Sequence, residues 1–309
     1  MRLPRIGLAL GAGVARGWAH IGVLRALDRA GIRPDVVCGT SIGALVGGIH
    51  LAGKLDVLEG WARSLTRLRV VTYLDFRMVG GGMIGGNRLM AVMRRHMGAL
   101  AIEDLPVPYT CVATDLVTGH EVWLRKGNLV DALRASISLP GVFSPVEFDE
   151  RWLIDGALVN PLPVSVCRAM GAQLVIAVNL NADLLGRTRA PDQRIPRESH
   201  MDLVNELPKA ELPAPRGIAS RLKSIFGREP GAPSLFGVMV QSLNIMQDRI
   251  TRSRLAGEPP DVSITPKLGH IGLLEFDRAE EVIAEGAAAA DRARGELAEA
   301  IAVFSGTPG

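Results

Sequence analysis

The chain has 309 residues, 48% of them hydrophobic, which suits one large globular domain or one domain with an appendage. Its formal net charge is +3 and aromatic residues make up only 4%, so the dense basic stripe typical of nucleic-acid binding is excluded. A mildly basic balance is compatible with weak attraction to anionic membrane surfaces.

The first predicted element is a buried strand over residues 5–10, an apolar run too short for the core of a signal peptide. A glycine-rich turn, residues 11–17, follows it. A helix is predicted over 18–30, because apolar residues recur at helical spacing and a glycine ends the run. These positions are Ile21, Leu24, Leu27 and Gly31.

A second strand over 35–38 leads into Gly39-Thr40-Ser41-Ile42-Gly43, which fits the G-x-S-x-G pattern. Such a turn between a strand and a helix holds one serine hydroxyl out at the top of a sheet. Gly39 and Gly43 suit it because the turn is tight and a Cβ would clash. Ser41 is therefore the first candidate nucleophile.

Strand, loop, helix, strand, turn and helix in this order open an α/β fold with a parallel sheet. In such sheets the functional loops gather at the carboxyl ends of the strands. We therefore expect the glycine-rich turn and Ser41 at the same edge.

Residues 54–104 are predicted to be mainly helical. They include a second glycine cluster, residues 80–86, which is interpreted as a loop before a helix starting near Asn87. Strands are predicted over 108–114 and 121–125. A dinucleotide site at the glycine cluster is disfavoured because no predicted strand precedes it.

Asn128 is suited to cap a helix running to about Ser138. A short strand over 151–154 then delivers Asp155 into a turn of small residues, and 173–179 is a clear buried strand.

Composition changes over 183–234, where seven of the nineteen prolines fall, so this segment is predicted to be a surface excursion or lid. Within it, residues 216–228 form a basic amphipathic pattern that suits either an anionic bilayer or internal packing. A helix over 235–255, a strand over 261–265 and a helix over 278–304 are predicted beyond it. We expect one domain, 1–309, with a catalytic core over 5–180 and a C-terminal part over 235–304.

The cysteines lie far apart without C-x-x-C spacing, which argues against a disulfide framework or a zinc site. They are Cys38, Cys111 and Cys167, interpreted as small buried hydrophobes in a reducing compartment. No stretch of the sequence approaches the roughly 20 apolar residues that span a bilayer. The expected location is cytoplasmic, with peripheral contact at the inner membrane surface where 216–228 binds lipid.

A serine nucleophile needs a base and an oxyanion site. The loop over 11–17 offers backbone N–H groups, and its glycines, Gly11, Gly13 and Gly17, let that backbone approach a substrate. The helix that follows favours developing negative charge at its start. Arg16 is expected to order the loop or to attract an anionic head group.

A phosphate-binding loop is the alternative interpretation of the same glycines. Two features of the sequence argue against this alternative. Residues 11–17 are not followed by the lysine of a Walker motif, and Arg16 occupies the position of the third glycine in a dinucleotide-binding fingerprint.

For the base, a Ser-His-Asp triad would need a late histidine. His200 lies in the polar excursion, and nothing in the sequence places His270 at the active edge. Asp155 is favoured because it follows a short strand and precedes a small-residue turn. Its ordinary pKa is low for a base, so burial would have to raise it.

Four motifs in order resemble the patatin-like phospholipase family over most of residues 5–180. They are the glycine loop with Arg16-Gly17, the elbow at 39–43, the run 135–143 and Asp155-Gly156-Ala157. The resemblance implies an α/β three-layer sandwich with a mostly parallel central sheet. It also implies hydrolysis of lipid acyl esters, phospholipid or lysophospholipid, by a Ser-Asp dyad without histidine, metal or cofactor.

Carried over to this chain, Ser41 is the nucleophile, Asp155 is the general base and the N–H groups of 11–17 form the oxyanion site. One departure is the order Gly11-Ala12-Gly13-Val14, where the family often has three consecutive glycines. Two other functions stay open at this point: a catalytically idle lipid- or acyl-binding module at the membrane surface, and a nucleotide-binding α/β protein.

Overall fold

The computed structural model describes residues 3–66, 82–84, 87–183 and 235–306. The chain separates into two compact units, residues 1–186 with 247–309, and residues 187–246. The first unit holds the whole of the central sheet. In the second, the described residues are the start of one helix. A single domain over 1–309 stays a prediction.

The described strands and helices follow in chain order. The strands are β1 (Ile6–Leu10), β2 (Val36–Thr40), β3 (Gly82–Ile84), β4 (Tyr109–Asp115), β5 (Glu121–Leu124), β6 (Gly141–Phe143), β7 (Val146–Phe148), β8 (Arg151–Asp155), β9 (Leu174–Val178) and β10 (Val262–Ile264). The α-helices are α1 (Ala19–Arg29), α2 (Ile42–Leu51), α3 (Leu55–Arg63), α4 (Asn87–Met97), α5 (Leu129–Ser136), α6 (Val164–Ala169), α7 (Leu235–Gly257), α8 (Ala279–Arg292) and α9 (Arg294–Phe304).

The central sheet has the order β10-β9-β1-β2-β4-β8-β7, and β5 pairs with β4 as well. Neighbours from β10 to β4 are parallel. Strands β5 and β8 run antiparallel to β4, and β7 runs antiparallel to β8. The prediction of an α/β fold with a mostly parallel central sheet is confirmed.

Helices cover both faces of this sheet, because successive side chains of each strand point to opposite sides. Leu8 and Leu10 of β1 join the larger core, with residues of α1, α2, α5 and α8. Ala9 of β1 and Cys38 of β2 face a smaller core that includes Cys167 of α6. The three-layer arrangement expected from the sequence follows from this alternation.

Strands β2 and β8 meet end to end along one edge of β4. Val112 of β4 pairs with both β2 and β5, and Ala113 pairs with both β5 and β8. Because a strand has only two edges, β5 occupies one and β2 and β8 share the other. Thr40, the last residue of β2, pairs with Val112, and Asp155, the last residue of β8, pairs with Ala113. The chain positions just beyond these two ends are therefore brought together.

Several predicted elements are present with adjusted bounds. A helix does start at Asn87, and Asn128 does cap α5 by accepting from the N–H of Asp131. The expected loop at the second glycine cluster contains a strand, β3, which pairs with β6. The helix predicted over 278–304 is two helices, α8 and α9.

The basic segment 216–228 lies outside the described residues, so its contact with membrane stays a prediction. All three cysteines are buried, and none of them forms a disulfide. Across the described ranges, no helix is long and apolar enough to cross a membrane.

Helices α1 and α8 cross with backbones in close contact at two glycines. A Cβ on Gly286 would overlap the carbonyl oxygen of Ala19, and one on Gly22 would overlap that of Ile283. Gly286→Ala is therefore expected to lower the free energy of unfolding by about 1–3 kcal/mol, since backbone atoms would have to separate. Urea denaturation measures the change.

The matched control is Gly60→Ala within α3, where nothing lies within 4 Å of an added Cβ. It is expected to raise the free energy of unfolding by about 0.5–1 kcal/mol, because alanine favours the helix. Equal effects of the two substitutions would contradict the close crossing of α1 and α8.

Candidate active site

Ser41 stands between the end of β2 and the start of α2 with φ +56° and ψ −125°, an uncommon conformation for a non-glycine residue. The flanking glycines allow this turn. A Cβ on Gly43 would overlap the carbonyl oxygen of Leu10, and one on Gly39 would overlap the backbone of Ala44. The G-x-S-x-G elbow expected from the sequence is therefore formed.

Ser41 and Asp155 are in direct contact. The Ser41 Oγ donates a hydrogen bond to Asp155 Oδ2 at 2.6 Å, and the other carboxylate oxygen accepts from the Ala157 N–H at 2.8 Å. Asp155 is 1% exposed. A Cβ on Gly156 would overlap the carbonyl oxygen of Val112, so glycine allows the chain to turn directly after Asp155.

Burial sets the acidity of this carboxyl group. Desolvation raises the pKa of Asp155 from 3.8 to about 7, although the hydrogen bonds from Ser41 and Ala157 pull it the other way. A carboxyl group with a pKa near neutrality holds a proton far better than an exposed one. It is therefore suited to accept a proton from a hydroxyl.

A second serine holds the backbone of the elbow. The Ser41 N–H donates to Ser136 Oγ at 3.0 Å, and Ser136 Oγ in turn donates to the carbonyl of Val112 at 2.6 Å. Thr40 Oγ1 donates to the carbonyl of Asn160 at 2.8 Å. Ser136 lies in the run 135–143 to which the sequence analysis gave no role, because only the tertiary contact shows what it holds.

The glycine loop has two kinds of backbone amide. The N–H of Gly11 donates to the carbonyl of Val178, and that of Ala12 donates to Pro161. The N–H of Arg16 donates to the carbonyl of Gly13. By contrast, within the described part of the chain the N–H groups of Gly13 and Val14 have no acceptor.

Val14 adopts φ +51°, which is rare for a β-branched residue, and its side chain lines the cavity beside Ser41. This is one of the positions where the loop departs from consecutive glycines.

Arg16 and Gly17 are the last two residues of the glycine loop, and both are buried. Arg16 is 1% exposed, so it does not face solvent, and its burial lowers its pKa to about 10. A Cβ on Gly17 would overlap the side chain of Ile42, so Gly17 lets the loop pack against α2. Both residues are therefore positioned to stabilise the conformation of the loop.

His20 also holds the loop, which the sequence analysis missed. Its Nε2 lies 2.7 Å from the carbonyl oxygen of Gly11, and because a carbonyl can only accept, Nε2 carries the proton. Full burial lowers the pKa of His20 to about 4, so the ring is neutral. A histidine on the inner face of a helix directly after the glycine loop is the only signal that the sequence offers.

An apolar cavity lies beside Ser41 and extends along α2. Ile42, Leu45 and Ile49 lie on one face of that helix and line it, and other apolar side chains close it. These include Trp18, Leu58, Trp61, Met93, Val142 and Phe276. Among its described lining residues, the charged or titratable ones apart from Asp155 are Lys54 and His96, both exposed. The cavity therefore suits a long apolar group.

The late histidines do not complete a triad in the described structure. His270 is exposed and its Nε2 lies 2.7 Å from Glu281 Oε1. His200 lies outside the described residues. Within residues 3–66, 82–84, 87–183 and 235–306, no three His, Cys, Asp or Glu side chains cluster closely enough to hold a metal ion.

Comparison with known proteins identifies the family. The family model described as Patatin-like phospholipase matches residues 8–168, which include the glycine loop, the elbow and Asp155. An uncharacterised NTE family protein of Mycobacterium tuberculosis is 36% identical over 330 residues, covering 94% of this chain and 91% of that protein.

Two animal proteins match over a shorter stretch. The human patatin-like phospholipase domain-containing protein 6 is 35% identical over 184 residues, 57% of this chain and 13% of that protein. The Drosophila melanogaster neuropathy target esterase sws is 34% identical over the same length, also 57% of this chain and 13% of that protein.

Asp155→Asn is expected to stabilise the protein at neutral pH. The unfolded carboxyl group loses its proton near pH 3.8 and the folded one near pH 7, so folding retains a proton between these values. The stability of the wild type therefore falls as the pH rises through this window, by an amount on the order of a few kcal/mol. The asparagine lacks this proton equilibrium, so its advantage should grow from pH 4 to pH 7 and then level off.

Urea denaturation at several pH values measures the difference. Asp104→Asn, at an exposed site, is the control for the loss of a carboxylate. A constant difference between Asp155→Asn and the wild type across pH 4–8 would show that the folded pKa is not raised.

Proposed function

The chain belongs to the patatin-like phospholipase family, and we propose that it is a serine acyl hydrolase in which Ser41 and Asp155 form the catalytic dyad. One observation carries this proposal. The hydroxyl of Ser41, held on a strained elbow that lines an apolar cavity, donates at 2.6 Å to a buried carboxylate. A hydroxyl, an adjacent base and an acyl-sized cavity are the parts that ester hydrolysis requires.

In the proposed first step, Ser41 Oγ attacks the carbonyl carbon of the ester while its proton passes to Asp155 Oδ2. The Ala157 N–H keeps the other carboxylate oxygen in place during the transfer. The raised pKa of Asp155 brings its proton affinity closer to that required, because a base is most effective when its pKa lies near the working pH.

The tetrahedral intermediate needs hydrogen-bond donors for its oxygen. The N–H groups of Gly13 and Val14 are the candidates, because those of Gly11, Ala12 and Arg16 already have protein acceptors. The N–H of Ala15 also has an acceptor, the carbonyl of Leu273, so two amides are left as candidates among residues 11–16 of the expected oxyanion loop. Donors fixed before the reaction stabilise the developing charge without reorganisation.

The intermediate then collapses with cleavage of the ester C–O bond. The leaving alkoxide takes the proton from Asp155 and departs as an alcohol, which leaves Ser41 acylated. Water attacks the acyl group and gives its proton to Asp155. Ser41 Oγ leaves as the second intermediate collapses, takes that proton back, and a fatty acid is released.

The shape of the cavity supports a long unbranched acyl chain as the substrate group. From Ser41 to Ile49 the cavity follows α2 over about 12 Å, at 1.5 Å of helix rise per residue. Its lining offers apolar contact along this length, with Lys54 beyond it. A lipid ester, phospholipid or lysophospholipid, supplies such a chain. The strained conformation of Ser41 and its hydrogen bond to Asp155 favour an enzyme over a catalytically idle binding module.

The dyad predicts both mutant activities and a pH profile. Ser41→Ala and Asp155→Asn should each lower kcat for a nitrophenyl ester by at least about 1,000-fold, while Ser263→Ala on an exposed strand position should not. For the wild type, kcat/KM should fall about tenfold per pH unit below about 7, because only the unprotonated Asp155 accepts the proton. Undiminished turnover in either dyad variant would refute the proposal.

Labelling by a fluorophosphonate separates an enzyme from an idle binder. Wild-type protein that binds liposomes but leaves Ser41 unlabelled would favour the binding module.

Ile49→Phe is expected to shorten the usable part of the cavity. Turnover of a palmitoyl ester should fall about tenfold or more, while turnover of a butyryl ester should stay within about twofold, because a short chain ends before Ile49. Leu51→Phe, on the same helix but not lining the cavity, is the control. Equal loss on both esters would mean that the acyl chain takes another path.

A further inference from the structure

The strand order places three chain segments side by side at the carboxyl ends of β9, β1 and β2. Strand β1 lies between β9 and β2, and Leu10 pairs with Val178 on one side and with Gly39 on the other. The chain continues from these three positions into residues 179–181, 11–14 and Ser41. The glycine loop therefore lies between the segment that follows β9 and the proposed nucleophile.

The segment that follows β9, residues 179–181, contacts the glycine loop at two points. Asn181 is 4% exposed, and its Nδ2 donates to the carbonyl of Ala12 at 3.2 Å. The side chain of Leu180 fills the space beside Gly13, where an added Cβ would come within 2.7 Å of Leu180 Cδ1. The backbone N–H of Asn181 donates to Asn179 Oδ1 at 3.0 Å, which braces the segment itself.

A trans peptide links the direction of Ala12 to that of Gly13. The C=O of Ala12 and the N–H of Gly13 belong to one planar unit and point in opposite directions, and no cis peptide occurs in the described residues. Because Asn181 holds the carbonyl toward the β9 side, the Gly13 N–H is directed toward the β2 side, where Ser41 lies.

We propose that Asn181 is a positioning residue for the oxyanion site: its amide holds the Ala12 carbonyl and thereby aims the Gly13 N–H at the substrate oxygen. The inference rests on the proposed function and deepens it. Asn181 lies outside residues 8–168, which the family model matches, and follows the last of the four motifs in sequence.

The peptide unit that joins Gly11 and Ala12 is held by other residues. His20 holds the carbonyl of Gly11, and the N–H of Ala12 donates to Pro161, so both of its polar groups are engaged. Gly13 is therefore the first residue of the loop whose amide is left for a substrate. The Asn181 contact is the one that sets its direction.

The test is Asn181→Asp, which keeps the side-chain volume but removes the donor when the new carboxyl group is ionised at pH 8. For a nitrophenyl ester, kcat should fall about 10- to 100-fold with KM within about twofold, because only the developing oxyanion loses its donor. Inhibition by a trifluoromethyl ketone, whose adduct mimics the intermediate, should weaken by a similar factor.

Asn128→Ala is the matched control. It removes another asparagine hydrogen bond to the backbone, at the start of α5, and should lower Tm without changing kcat. If Asn181→Asp also lowers Tm and leaves kcat within about threefold of the wild type, the positioning role is overturned.

A second measurement does not depend on the variant folding. In a crystal structure of the wild type labelled with a fluorophosphonate, the phosphonyl oxygen should lie within hydrogen-bond distance of the Gly13 N, and an oxygen facing elsewhere would overturn the role. Wild-type protein with neither ester turnover nor labelling would overturn the proposed function and this role together. Wild-type turnover with unchanged kcat in Asn181→Asp would overturn only the role of Asn181.

Discussion

The hydrogen bond from Ser41 to Asp155 is the contact on which the site depends, and the sheet builds it by an uncommon route. Parallel neighbours normally bring their carboxyl ends together side by side. Here β2 and β8 approach each other head on along one edge of β4, so the hydroxyl and the carboxylate meet where the two strands run out. The antiparallel direction of β8 is what makes this meeting possible.

Holding the contact costs stability, and the surrounding structure offsets it. A buried carboxylate is disfavoured, and the backbone of Ser41 is strained. Ser136 secures the Ser41 amide, Ala157 secures the carboxylate, and glycines at 39, 43 and 156 let backbone pass where a Cβ would collide. Residues proposed for catalysis are thus placed by neighbours whose own role is only to fix geometry.

The same edge organises the rest of the site. The glycine loop follows the central strand β1, and its flanking strands contribute the elbow on one side and the segment 179–181 on the other. His20 and Asn181 hold two successive carbonyls of the loop from beneath and beside it. Helix α2 leads from the elbow along the apolar cavity, so one helix both presents Ser41 and lines the proposed acyl path.

The sequence by itself determined the local elements: the strand, glycine loop and helix at the start, the elbow at 39–43, and Asp155 in a turn after a short strand. These follow from periodicity, glycine spacing and turn chemistry, which act over a few residues. The tertiary structure decided that β8 runs antiparallel and that the amides of Gly11 and Ala12 are already bonded. It also decided that Ser136 and Asn181 hold the site. Each of these depends on partners about 40 to 170 residues away, a separation over which local pattern carries no information.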